Sequence, residues 1–115
     1  MATVLNAFKT VTAIVTDVIG NVYTCPQSYS AVVLLAQVSN ITGGTITVSG
    51  NIAKLTDDSS INSVSLVQDA LLPPNDAISL VGGRLILEAG DSFAVGANVN
   101  AASQLTLSVL ETSTG

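Results

Sequence analysis

The sequence predicts an all-β fold: a single antiparallel β-sandwich, jelly-roll-like or immunoglobulin-like, of about eight strands, with an extended N-terminal arm. Three observations predict it. Val, Ile and Thr number 15, 8 and 12, so 35 of the 115 residues are β-branched and fit a pleated, half-buried surface better than a helix. Lys, Arg and Glu together number only 5, which leaves little to cover the wet side of surface helices. Turn signals recur about every 5 to 12 residues, the rhythm of a sandwich or barrel. The length suits one domain, with residues 1–19 as an arm or first strand and residues 20–115 as the sandwich.

The elements follow in order. The stretch from Val11 to Ile19 is apolar at both parities, with Val11, Ala13 and Val15 opposing Ile14 and Val18. The first firm turn is Gly20-Asn21. Ala31 to Ala36 is the longest apolar run and reads as a strand that is apolar on both faces, a break in the alternation. Asn40-Ile41-Thr42-Gly43-Gly44 then predicts a hairpin loop whose glycines supply positive φ. Ile46 with Val48, and Val64 with Leu66, alternate with Ser and Thr as half-buried strands do. Pro73-Pro74 ends a strand, because two consecutive residues lose their ladder donors. Arg84 to Glu88 sends Leu85 and Leu87 inward and leaves Ile86 on the other side. Glu88 to Asp91 predicts a tight turn, with Gly90 at positive φ and Asp91 accepting backbone hydrogen bonds. Phe93, Val95, Ala97 and Val99 form one face of a strand against Ser92, Ala94, Gly96 and Asn98. Leu105, Leu107 and Val109 form the buried face of the last strand, with Leu110 opposite.

Composition excludes several function classes. Histidine and tryptophan are absent and cysteine occurs once. That removes histidine-based catalysis, imidazole zinc sites, thiolate clusters and an internal disulfide. Charged residues are 10% of the chain, the net charge is −5, and the three cations Lys9, Lys54 and Arg84 are scattered. No nucleic-acid footprint or anionic-membrane patch is expected. No apolar run approaches the roughly 20 residues of a spanning helix, and the N-terminus lacks the pattern of a signal peptide.

The remaining chemical candidates read better as structure. Asp57-Asp58-Ser59-Ser60 lacks the spaced oxygens of a calcium loop and reads as a solvated turn. Glu88 and Asp91 could pair as acid and base, but a glycosidase cleft also wants aromatics, and the chain has no Trp and two Tyr. Cys25 has no base in its neighbourhood and reads as a small buried apolar residue. Gly43-Gly44 and Gly82-Gly83 lack the Lys-Ser/Thr of a phosphate loop. Asn40-Ile41-Thr42 matches a glycosylation sequon that has no meaning without secretion. No catalytic residue, metal or cofactor is expected.

What remains is a surplus. About eight strands of about six residues offer roughly 24 inward positions in a two-layer sandwich. The chain holds 15 Val, 13 Leu and 8 Ile. Some of these must lie outside the core, and contiguous exposed apolar surface marks a protein interface.

Several segments occur in a familiar order: Asn6-Ala7-Phe8-Lys9, Val22-Tyr23-Thr24-Cys25-Pro26, Ala31-Val32-Val33-Leu34 with Val38-Ser39-Asn40, Leu72-Pro73-Pro74, Gly83 to Ser92, and Leu107-Ser108-Val109-Leu110-Glu111. The series spans roughly residues 6 to 111 and resembles small virion structural proteins of tailed bacteriophages, including cyanophages. The resemblance implies a β-sandwich that oligomerises within a particle, made in the host cytoplasm and located in the virion. A capsid decoration (cement) protein suits an acidic, low-charge chain with excess aliphatics. Its partners would be the major capsid protein or neighbouring virion proteins and copies of itself, often as a trimer at a local threefold axis. The expected contact residues are Val4, Leu5, Phe8, Val11, Ile14 and Val18 in the arm, with Ile86 and Leu110 on the sheet. A neck, tail or fibre component is the structural alternative. A carbohydrate-binding host-attachment module is the alternative from another class, for which Tyr23, Tyr29, Phe8 and Phe93 are the available aromatics.

Overall fold

A computed structural model describes residues 6–55, 61–81 and 83–113. They form nine strands: β1 (Asn6–Val15), β2 (Gly20–Thr24), β3 (Tyr29–Asn40), β4 (Ile46–Leu55), β5 (Ile61–Leu72), β6 (Ala77–Ser79), β7 (Leu85–Leu87), β8 (Ser92–Ala97) and β9 (Ser103–Ser113). One sheet has the order β1-β9-β3-β6, with β7 also pairing β3, and the other has the order β2-β8-β4-β5. Every pairing is antiparallel. Strands β6 and β7 lie on successive stretches of β3, at Gln37–Ser39 and Ala31–Val33, so together they act as one broken strand. Consecutive strands therefore switch sheets, apart from the β4–β5 hairpin. That connectivity is a jelly roll, and the immunoglobulin-like alternative falls away.

Alternation decides which residues fill the sandwich. Val33 and Val38 on β3, Val48 on β4, Leu87 on β7, Phe93 on β8, and Leu105, Leu107 and Val109 on β9 are fully buried. Val11 and Ala13 of β1 pack against this core and Val15 joins it. The segment expected as an arm or first strand is thus, over residues 6–15, a strand paired with β9 at every position. The structure departs from simple alternation at β8, where Ser92, Ala94 and Gly96 are buried as well. The cause at Gly96 is the β1–β2 connection, which crosses over it. Ala97 N–H donates to Thr16 at 3.0 Å, and a Cβ on Gly96 would stand 2.9 Å from the Ile19 Cα.

The expected β3–β4 hairpin is corrected. The two strands lie in different sheets, and among the described glycines only Gly90 has positive φ. The buried Asn40 side chain shapes this crossover instead. Its amide nitrogen donates to the carbonyls of Gly44, Leu72 and Pro73 at 2.7, 3.1 and 3.2 Å, and its oxygen accepts from Thr42 N and Oγ1 at 2.9 and 2.7 Å. An amide so enclosed is no glycan acceptor. The Glu88–Asp91 turn forms as expected, with Gly90 at φ 86°. The Asp57–Ser60 turn, Gly82, and the expected contact residues Val4 and Leu5 lie outside the described residues.

Two buried carboxylates tie separate elements together. Asp91 accepts from Leu55 N at 3.0 Å, Glu88 N at 2.9 Å and Lys54 Nζ at 2.6 Å. Glu111 of β9 accepts from Tyr23 of β2, across the sandwich, at 2.5 Å and pairs with Lys9 of β1 at 2.9 Å. Burial alone would raise both carboxyl pKa values. For Asp91 the Lys54 and backbone donors outweigh it, and for Glu111 the Tyr23 hydroxyl and Lys9 do, so both end below their ordinary values. Burial, then the bond to Glu111, pushes the Tyr23 hydroxyl far up and keeps it a donor. Cys25 is buried, as expected. Burial, then the nearby carboxylates of Glu111 and Asp91, pushes its thiol up, which leaves it an inert apolar residue.

Lowered carboxyl pKa values stabilise the fold above the ordinary values of 3.8 for Asp91 and 4.5 for Glu111, and that stability is lost as pH falls through the lower folded values. Chemical denaturation as a function of pH should therefore show a plateau near neutrality and a decline below about pH 4. Asp91→Asn should cost about 2–3 kcal/mol at pH 7 and flatten that decline. Gly96→Ala should cost about 1–3 kcal/mol, because the crossing backbone at Ile19 must move. Gly20→Ala, with nothing within 4 Å of the added carbon, should stay within about 0.5 kcal/mol of the parent.

Candidate assembly face

Directly opposed residues in antiparallel strands share a face, so the strand register maps the outer surface of the five-stranded sheet. Phe8 pairs with Leu110, Leu110 with Val32, and Val32 with Ile86. These four apolar side chains make one row across β1, β9, β3 and β7, about 14 Å wide at ordinary strand spacing. Phe8 is 77% exposed and Ile86 62%. Beside the row, β3 carries a bulge between Val33 and Leu35. The extra residue there leaves Leu34 and Leu35 both exposed.

Beyond this strip the same face turns polar. Thr10 opposes Ser108, and the next row is Thr12, Thr106, Gln37 and Ser79. Ile14 returns an apolar side chain at the far end, opposite Gln104, and is 63% exposed. The surface is thus a six-residue apolar strip set beside a Thr/Ser/Gln field. Lys9 is paired with Glu111 on the inner side of β1, and exposed Arg84 and Glu88 flank Ile86 at the β7 edge of the strip. An apolar strip of this kind, with charge only at its margin, can bury area against another protein.

Of the expected contact residues, the structure brings Phe8, Ile86 and Leu110 into one row. Ile14 shares their face but lies six residues along β1 from Phe8. Val18 is exposed on the β1–β2 connection. Val11 points the other way and packs against the core, because it has the parity of Ala13 and Val15. Sequence reasoning missed Val32, Leu34 and Leu35 as members of the strip. The signal was present in the both-faced apolar run from Ala31 to Ala36, but the bulge that turns Leu35 outward was not.

The free side of β1 is the second feature of this region. β1 ends its sheet with ten residues and no register shift against β9. Beside it runs a groove of about 410 Å³ between the two sheets, bounded by Ile14, Thr16, Gly20 and Val22. A shallower depression of about 360 Å³ lies over Thr12, Ile14, Gln104 and Thr106. Among the described residues no group of three or more Cys, Asp or Glu side chains is arranged to hold a metal ion.

No family model matches the chain, and no curated protein matches it. Several solved structures share its fold. A subunit of Bacillus endospore appendages, described as disulfide-linked pili, superposes with a TM-score of 0.56 at 10% identity, over 96% of this chain and 88% of that one. The infectious bursal disease virus Gx strain contributes a chain with a TM-score of 0.57 at 7% identity, over 93% of this chain and 32% of that one. A VP2 protein of the same virus gives 0.56 at 11% identity, over 96% and 32%. This chain therefore spans nearly all of the appendage subunit but about a third of the viral chains. At such low identity the likeness establishes a shared jelly-roll fold.

Proposed function

We propose that this chain is a non-enzymatic structural protein of a phage virion, and within that class a capsid decoration protein. The observation that carries the reading is the apolar strip formed by Phe8, Leu110, Val32 and Ile86 with Leu34 and Leu35. Isolated exposed apolar residues are ordinary on a soluble domain, but exposed Phe8, Leu34, Leu35 and Ile86, joined on one sheet face by half-buried Val32 and Leu110, make a docking surface. Through this strip the protein binds the major capsid protein or a neighbouring virion protein and copies of itself, as a trimer at a local threefold axis. The likeness to VP2 supports the reading, since the same fold builds viral particles there, and the ordered sequence resemblance to virion proteins of tailed phages supports it independently. A neck, tail or fibre component is the second reading, favoured by the likeness to a subunit of a filamentous appendage.

Two measurements separate these outcomes. Purified protein mixed with undecorated heads should add density at symmetry axes, and quantitative mass spectrometry of the virion should count hundreds of copies. Tens of copies or fewer, with density on the tail alone, would defeat the decoration reading and favour the second. Ile86→Lys should weaken head binding at least about tenfold, as loss of a buried anchor does. Because Ile86 is exposed in the free chain, its unfolding midpoint should change little.

A further inference from the structure

We infer that the free edge of β1 pairs with β1 of a second copy about a twofold axis, joining two five-stranded sheets into one continuous sheet. A long exposed edge strand is normally blunted by charge, proline or a bulge. β1 has none of these devices beyond Lys9, which is engaged by Glu111. The other edges are unsuited. β6 and β7 have three residues each, β2 has five with a register shift, and β5 faces two register shifts and holds Asp69 at φ 51°.

The sequence of β1 also fits itself. A twofold antiparallel pair must oppose outer-face residues to outer-face residues. Centred on Val11, it sets Phe8 against Ile14 of the partner subunit and Thr10 against Thr12 of the partner subunit. The two most exposed apolar residues of the strand then cover each other twice, and the threonines meet as hydrogen-bonding pairs. Centring one residue earlier would set Phe8 against a threonine and Ile14 against Asn6. Charge agrees with this pairing. No Asp or Glu occurs in residues 6–15, so two acidic chains meet along an edge whose only charge is already neutralised. The pair also lengthens the apolar strip, since each Phe8 row continues into Ile14 of the partner subunit.

This edge contact shares only Phe8 with the strip proposed above for the threefold cluster, so the two can coexist, and it is testable without a virion. The register supplies the test, because Phe8 and its own symmetry mate stand about 20 Å apart. Phe8→Cys and Ile14→Cys proteins, each oxidised alone, should stay uncrosslinked through these positions. Mixed, they should form a disulfide-linked pair, while the native Cys25 stays buried. In sedimentation of the full chain, Thr10→Lys/Thr12→Lys should raise the dissociation constant at least about tenfold by opposing like charges. Mixing it with Thr10→Glu/Thr12→Glu should restore association. A chain that stays monomeric at about 100 μM, a Phe8→Cys protein that crosslinks to itself, or association indifferent to the lysines would overturn the pairing. None of these results would touch the virion reading, which fails instead if the chain is missing from the particle.

Discussion

Strand β3 carries large aliphatic side chains on both faces, and the two faces cannot be buried the same way. Its inner face, through Ala31, Val33, Ala36 and Val38, closes the sandwich against the other sheet. Its outer face, through Val32, Leu34 and Leu35, meets solvent in the free chain. Because β3 sits between β9 and the broken strand β6/β7, its outer residues fall in register with Leu110 and Ile86, and through Leu110 with Phe8. A surplus that would be harmless if scattered becomes a strip because strand pairing aligns it. At about 25 cal/mol per Å² of apolar surface removed from water, such a strip is a standing driving force for association.

Much of this was legible in the residues. The two-residue period placed Leu85, Leu87, Leu105, Leu107 and Val109 inside and left Ile86 and Leu110 outside. The Gly90-Asp91 turn was readable because a positive φ and an Asx acceptor are local requirements. Register was not readable. Nothing in the sequence says that residue 8 opposes residue 110, or that Tyr23 reaches Glu111 across 88 positions. The hairpin expected after β3 failed for a related reason. A hairpin loop and a crossover between sheets share the same Asn and Gly signals, and what separates them here is Asn40, whose amide is enclosed by carbonyls of Gly44 in its own connection and of Leu72 and Pro73 at the end of β5. The bulge at Leu34 and the covering of Gly96 by the β1–β2 connection likewise belong to tertiary structure.

The jelly roll itself says little about role, since the same fold serves a viral capsid protein and a spore appendage subunit. The specific content lies in how rigidly this chain holds its outer surface. Glu111 links β9 to β2 and β1, while Asp91 links the β7–β8 turn to β4. These anchors fix the strands whose outer residues form the strip. The face is therefore preorganised, which lowers the ordering cost of binding.

The most direct measurement is side-chain footprinting of the chain free in solution and within the assembled particle. Leu34, Leu35 and Ile86 should react readily off the particle and become protected on assembly, while exposed Leu71 and Val64 of the other sheet keep their reactivity. Protection falling instead on Leu71 and Val64, with the strip still open to the reagent, would contradict the claim that the outer face of the five-stranded sheet is where this protein binds.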